Sequence, residues 1–264
     1  MDTVDPNEQM RSSSYLLPVE DTQFLLRDEM RALRFALEYA KAELVLRDWH
    51  IRSTIIVFGS ARVPSPEMLR ASARTDELCS RQQAWYAAAR EFGRIASLRG
   101  GALSLDGRWR DNVVATGGGP GLMEAANRGA SEAGAATIGF NITLPTEQRP
   151  NPYTTPDLTF RFHYFAMRKM HLAMRANALA IFPGGFGTLD ELFEILTLLQ
   201  TRKMRPIPVV LYDRTYWQQV IDFDALVKMD MVQADHPDLF EYADTAEEAW
   251  LSITRRGLAA RGQA

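Results

Sequence analysis

An α/β fold is predicted for this 264-residue chain. The expected sheet is mainly parallel and doubly wound, covered by helices on both faces, with an extra helix ahead of the first strand. Three observations carry the prediction. Short apolar runs alternate with helical patterns through the middle of the sequence, as in successive β-α-β units. Three of those runs end in Gly or Ser turns, which a parallel sheet gathers on one edge. The balance of 46% apolar and 24% charged residues is ordinary for a globular domain.

The elements follow in order. Residues 1–18 read as a mobile tail rich in Ser and charge, and residues 19–264 as one domain with its motif core at about 54–211. Asp21 to about His50 has helical periodicity, with Phe24, Leu25, Met30, Leu33, Leu37 and Leu44 broadly on one side. This helix is expected outside the core or against a second subunit. Thr54 to Phe58 reads as a buried strand ending in Gly59-Ser60. A long helical stretch, roughly Glu67 to Leu98, and a Gly-rich excursion over Gly100 to Gly107 come next. Asn112 to Thr116 is the second strand, ending in Gly117-Gly118-Gly119-Pro120-Gly121, and Leu122 to Ala133 is helical. Ala136 to Phe140 and Leu158 to Phe162 are the third and fourth strands. A helix over Phe165 to Asn177 leads to a fifth strand, Ala178 to Phe182. A helix over Glu191 to Thr201 leads to a sixth, Ile207 to Leu211, with helical and loop segments beyond.

Composition excludes several classes. A net charge of -3 offers no basic field for nucleic acid or an acidic membrane. One cysteine, Cys79, excludes an intramolecular disulfide framework. His50, His163, His171 and His236 lack metal-ligand spacing, so neither a metal nor a cofactor is expected. No apolar run approaches the ~20 residues of a membrane span, and the N-terminus lacks the apolar centre of a signal peptide. A cytoplasmic, reducing compartment is expected.

The richest stretch is Pro183-Gly184-Gly185-Phe186-Gly187-Thr188-Leu189-Asp190-Glu191, between an apolar run and a helical pattern. Glycines at such a turn let backbone N–H groups approach a ligand, and the helix N-terminus behind them favours negative charge. Gly184, Gly185, Gly187 and Thr188 are therefore a candidate phosphate seat, with Glu191 as the carboxylate beside it. Thr188-x-x-Glu191 also fits a capping box, and both readings can hold together. The Gly117–Gly121 turn departs from a dinucleotide fingerprint, because Leu122 stands where Gly or Ala is needed and the next strand offers Asn141 rather than an acid. It is a tight turn for strand–helix packing or a direct ligand contact through Gly117, Gly118 and Gly119. Arg168, near a helix N-terminus, opposes the dipole by ~0.3–1 kcal/mol and requires an anionic neighbour. That neighbour is a structural carboxylate, Glu191 or a substrate phosphate. Met167, Met170 and Met174 read as core, and His163 and His171 as packing or surface residues. Glu147, in a Pro-rich loop, is either solvated or a ligand contact.

These residues resemble a known family. Pro183 to Glu191 matches the P-G-G-x-G-T-x-x-E motif of the LOG ("Lonely Guy") proteins, cytokinin riboside 5′-monophosphate phosphoribohydrolases long labelled lysine decarboxylases. Met167-Arg168-Lys169 resembles the family's Arg-Lys element, and Gly117 to Met123 its second Gly-rich loop. The resemblance covers about Ile55 to Leu211, and the longer N-terminal and Glu67–Gly107 regions resemble the longer bacterial subgroup. It implies a Rossmann-like fold, a homodimer or higher homo-oligomer, and hydrolysis of a nucleoside 5′-monophosphate, AMP foremost, to free base and ribose 5-phosphate. Arg168 and Glu191 become the catalytic pair, and Gly184, Gly185, Gly187 and Thr188 the phosphate seat. Ser60, Gly117, Gly118, Gly119, Glu147 and Lys169 complete the candidate substrate contacts. The chemistry agrees, because glycosidic cleavage builds positive charge on the sugar and a carboxylate beside it stabilises that charge. Two rivals stand beside this reading. A non-catalytic nucleotide or molybdenum-cofactor carrier needs the Gly loops but not the pair. Lysine decarboxylation ordinarily needs pyridoxal phosphate on a lysine, and Lys169 alone lies next to the motifs.

Overall fold

Seven short strands carry the fold: β1 (Thr54–Phe58), β2 (Val113–Thr116), β3 (Ile138–Ile142), β4 (Thr159–Phe162), β5 (Ala176–Ile181), β6 (Val209–Tyr212) and β7 (Glu241–Ala243). All pair in parallel, in the order β4-β3-β2-β1-β5-β6-β7. This is the expected doubly wound sheet, seen in a computed structural model that describes residues 7–72, 76–103, 109–144 and 149–258. Glu147, with residues 104–107 of the Gly-rich excursion, lies outside the described residues. From β1 the chain steps outward to β4, then crosses back to lay β5 on the other side of β1. The reversal of strand order between β1 and β5 is where such folds bind ligands, beyond the strands' carboxyl ends.

The helices are α1 (Arg31–Asp48), α2 (Pro66–Ser72), α3 (Glu77–Arg99), α4 (Leu122–Glu132), α5 (Phe165–Met174), α6 (Phe186–Gln200), α7 (Arg214–Val220), α8 (Phe223–Lys228) and α9 (Ala246–Arg255). β1, β2, β5 and β6 are buried along their whole length, which is why they read as continuous apolar runs. Alternate side chains feed two cores. One joins Ile56, Phe58, Leu179 and Ile181 to Leu46 of α1, Leu172 of α5 and Leu192 of α6. The other joins Ile55, Val57, Ala178 and Ala180 to Phe92 of α3, Ala126 of α4 and Trp250 of α9.

Several boundaries differ from expectation. β7 was not expected; three residues, Glu241-Tyr242-Ala243, are too short to show a pattern. The helix expected over Asp21–His50 is broken into a turn at Thr22–Leu25, a 3-10 turn at Asp28–Met30, and α1. Arg34 Nη1 donates to the carbonyls of Leu25 (2.7 Å) and Arg27 (2.6 Å), acceptors an unbroken helix would use itself. Its apolar stripe is not the buried side. α1 buries Ala42 and Leu46, while Leu33, Leu37 and Leu44 are exposed. The Glu67–Leu98 stretch is two helices, because Asp76 Oδ1 accepts the Cys79 N–H (2.7 Å) and starts α3 afresh. α5 stops at Met174, which is exposed rather than core, whereas Met167 packs against the core.

α3 and α4 approach backbone to backbone. A Cβ at Gly129 would lie 1.8 Å from the Arg90 carbonyl oxygen, and one at Gly93 would lie 2.1 Å from that of Ala126. Gly129→Ala therefore lowers stability by about 1–3 kcal/mol, although alanine is the better helix former by ~1 kcal/mol. The check is a urea melt followed by far-UV circular dichroism, with a lower midpoint and native ellipticity below it.

Candidate functional site

The exits of β1 and β5 are stitched together at the switch point. The Ser60 N–H donates to the Pro183 carbonyl (2.9 Å), and the Ser60 carbonyl accepts the Leu122 N–H (3.0 Å). Ser60 thus links the turn after β5 to the start of α4. A Cβ at Gly184 would lie 2.1 Å from Thr188 Oγ1, so this turn closes only on glycine. At Gly185 and Gly187 a Cβ would meet nothing within 4 Å. Those two face open space, beside a Phe186 that is 93% exposed.

α6 begins at Phe186 with Gly185 as its N-cap, ahead of the expected start at Glu191. The capping box is therefore not formed. Thr188 lies inside the first turn, its N–H donating to the Gly185 carbonyl (2.9 Å), and no side chain caps this helix. Among the described residues, the N–H groups of Gly185, Phe186 and Gly187 have no hydrogen-bond acceptor.

Other strand-following helices are treated differently. Ser65 Oγ accepts from Met68 N–H of α2 (3.3 Å), and Asp213 Oδ1 from Tyr216 N–H of α7 (2.8 Å). Thr245 Oγ1 accepts from Glu248 N–H of α9 (3.1 Å). Glu38 of α1 accepts from His163 N–H (2.9 Å) and Tyr164 N–H (3.2 Å) at the head of α5. Among these helices no side chain caps α4, α5 or α6; Glu38 answers the N–H groups just ahead of α5, whereas α4 and α6 receive no side-chain oxygen. Both follow the Gly-rich turns, and both meet Ser60. Unpaired N–H groups and the positive end of a dipole at one place can hold an anion.

Glu191 stands one turn behind Gly187 and Thr188 on the same face of α6. It is buried, as is Arg168 of α5, and Arg168 Nη2 lies 2.5 Å from Glu191 Oε1. The anionic neighbour that Arg168 requires is thus Glu191. The guanidinium also packs over the Phe165 ring (5.2 Å), leaving its Nε without a hydrogen-bond partner. Burial pushes the Glu191 carboxyl up to about 7, against the pull of Arg168 and Lys169. Lys169 Nζ sits 2.8 Å from Asp190 Oδ1 and 3.1 Å from Glu194 Oε2. Burial works against its charge, but those carboxylates outweigh it and hold the lysine's pKa above the ordinary value.

Two supports lie far from the motifs, where no local signal marks them. The first is α1, which braces α5 along its length. Beyond Glu38, Phe35 meets Tyr164 edge-on (4.3 Å), Tyr39 stacks on His171 (5.3 Å), and Glu43 pairs with Arg175 (2.7 Å). His171 is a buried packing residue, kept neutral by desolvation, and His163 is exposed. The second support is Tyr216, whose hydroxyl donates to the Gly184 carbonyl (2.7 Å).

The Gly117–Gly119 turn is tied down from within. Gly118 has φ +69°, and a Cβ there would lie 2.4 Å from Asn141 Nδ2. Asn151 donates to the Gly118 carbonyl through its N–H (2.9 Å) and to the Gly119 carbonyl through Nδ2 (3.0 Å). Close packing thus requires glycine at 118. A cavity of about 680 Å³ opens elsewhere, among Arg214, Phe223, Phe240 and Tyr242, and contains none of the motif residues.

Comparison with known proteins points the same way. Residues 123–253 match the family described as "Possible lysine decarboxylase". Part of the chain is similar to LOG proteins. A probable cytokinin riboside 5′-monophosphate phosphoribohydrolase, LOG4 of Oryza sativa subsp. japonica, is 28% identical over 146 residues, 54% of this chain and 62% of that protein. The enzyme named LOG from the same plant is 28% identical over 167 residues, 61% of this chain and 68% of its own length. This chain therefore spans 62% of the length of the first relative. The solved structure of TM1055 shares the fold, with 22% identity and a TM-score of 0.50 over 77% of this chain and 99% of its own. A molybdenum cofactor binding protein from Rippkaea orientalis aligns at 20% identity with a TM-score of 0.49, over 77% and 97% of the two chains.

The candidate residues Ser60, Gly184, Gly185, Gly187, Thr188 and Glu191 come together at the switch point, and Arg168 joins them through its ion pair. Lys169 stays on the flank, engaged by Asp190 and Glu194. The brace generates a prediction. Glu38→Ala strips the acceptor from the two N–H groups ahead of α5 and costs about 0.5–1.5 kcal/mol, the net worth of a typical hydrogen bond. Equilibrium denaturation of variant and wild type measures it.

Proposed function

We propose that this protein hydrolyses the N-glycosidic bond of a nucleoside 5′-monophosphate, with AMP as the first candidate, to free base and ribose 5-phosphate. The observation that carries this reading is the buried Arg168–Glu191 pair one turn behind an uncapped, glycine-opened helix N-terminus. The 5′-phosphate takes the N–H groups of Gly185 and Gly187 and the Thr188 side chain. That anchor orients the ribose toward Glu191. As the C1′–N bond breaks, the base leaves with the electron pair and positive charge develops on the ribose. The Glu191 carboxylate stabilises that charge and accepts a proton from the water that attacks C1′; the departing base takes up a proton from solvent, and Glu191 returns its own to solvent. Arg168 holds the carboxylate in place. Ser60, Lys169 and the Gly117–Gly119 turn border the substrate, and Glu147 is assigned to it by motif position alone. Cytokinin riboside monophosphates, named for the plant relatives, belong on the same substrate panel.

The rivals explain less. A carrier has no use for a buried Arg–Glu pair. A Schiff-base lysine must lose its proton, whereas two carboxylates keep Lys169 charged. The buried thiol of Cys79 fits the reducing cytoplasm expected from the sequence. We also propose that two copies associate through the outward faces of α1 and α6, where Leu33, Leu37, Leu44, Phe186 and Phe193 are exposed. Light scattering on the eluting protein then gives a dimer or larger, and Leu37→Glu with Phe193→Glu shifts it toward monomer.

Incubation with AMP and chromatography of released adenine tests the activity. Glu191→Gln lowers kcat by roughly 10²–10⁴-fold, the usual contribution of a positioned acid–base group. Adenosine, lacking the phosphate, is a poor substrate. Absence of free base from every 5′-monophosphate tried would falsify the reading. The pH profile follows from Glu191. It acts as the carboxylate and its pKa is raised to about 7, so kcat/KM falls as pH drops through about 7 and levels off above it.

A further inference from the structure

We propose that Tyr216 is a positioning residue that locks the Gly184–Gly185 peptide in its anion-binding orientation. The inference rests on the phosphate-seat reading above. The Tyr216 hydroxyl donates to the Gly184 carbonyl (2.7 Å) from the side of α7. In a trans peptide the carbonyl and the following N–H point in opposite directions. Holding the Gly184 oxygen toward α7 therefore turns the Gly185 N–H away from it. Flanked by two residues without Cβ, this peptide has little steric preference of its own, and the hydroxyl supplies one.

Tyr216 is itself fixed with unusual care. Asp213, at the exit of β6, adopts φ +69°, a conformation that aspartate tolerates better than most non-glycine residues. Its carboxylate accepts from Tyr216 N–H (2.8 Å), Trp85 Nε1 (2.7 Å) and Arg81 Nη2 (3.1 Å). The Trp85 ring meets the Tyr216 ring edge-on, with centroids 5.6 Å apart. Four groups from α3, β6 and α7 thus converge behind one carbonyl of the seat, and the motif that defines the seat contains none of them.

Tyr216→Phe keeps the ring and its packing and removes only the hydroxyl. Isothermal titration of the full chain with inorganic phosphate, with ribose 5-phosphate and, in a Glu191→Gln background, with AMP reads the seat directly, without turnover. The expected result is a Kd about tenfold higher for all three, the scale of one hydrogen bond. With AMP as substrate, KM rises by a similar factor and kcat stays within about twofold, because the phosphate is held equally in ground and transition states. A lower melting temperature with unchanged Kd and KM would mean that Tyr216 merely stabilises the fold, and the proposal would be wrong. Wild type that binds the ligands but releases no base, with binding weakened in the variant, upholds Tyr216 and overturns the hydrolase reading. Wild type that binds none of the three overturns the seat and this proposal together. Should Tyr216→Phe fail to fold, Trp85→Phe loosens Asp213 instead, and a raised Kd is expected; an unchanged Kd there refutes the proposal.

Discussion

The buried ion pair between Arg168 and Glu191 is the constraint around which the molecule is arranged. Moving two charges out of water costs several kcal/mol for each ion, and their attraction offsets that only in good geometry. An exposed pair would impose no such demand. Here the two partners come from helices that follow different strands, so both helices must be held in fixed positions. α1 grips α5 at its head, middle and foot. The turn before α6 is gripped by Ser60 on one side and Tyr216 on the other. The same burial that makes the pair demanding leaves Glu191 with a carboxyl that exchanges its proton near neutrality.

A second organising feature is how the chain disposes of its helix N-termini. Most of those following strands receive an oxygen from Ser65, Glu38, Asp213 or Thr245. The protein thereby answers its own positive dipole ends wherever a bound anion would be out of place. The ends of α4 and α6 receive no side-chain oxygen and lie next to the buried Glu191 and its guanidinium partner Arg168. The N-terminal helix is part of this arrangement rather than an appendage, since Glu38 is its contribution.

Much of this was legible in the sequence, for identifiable reasons. β1, β2 and β5 are covered on both faces, so their sequences are unbroken apolar runs bounded by glycine, and strand–helix alternation then dictates a parallel sheet. Arg168 was readable as a cation in the wrong place on a helix, which pointed toward a carboxylate partner. Glycines hid the true start of α6, because they are poor helix formers and the apolar periodicity begins only after them. The spacing of Thr188 and Glu191 suits a cap and a shared helix face equally well, and here the shared face prevailed. Periodicity located a stripe on α1 but not which side would be covered; the buried side is the one bearing Ala42 and Leu46 beside Glu38, Tyr39 and Glu43. Glu38 lies 125 residues from His163 and Tyr216 lies 32 from Gly184, separations over which a hydrogen bond leaves no pattern in the chain.

The two flanks of the sheet carry one more consequence. β4 is four residues long with Arg161 exposed on it, and β7 is three residues long with Glu241 held by Arg255 and Ser252. Short, charged edge strands are poor templates for strand addition, the route by which open sheets polymerise or recruit extended peptides. Growth in the plane of the sheet is thereby discouraged at both ends. Any lasting contact between copies is left to the helical layers rather than to the sheet edges.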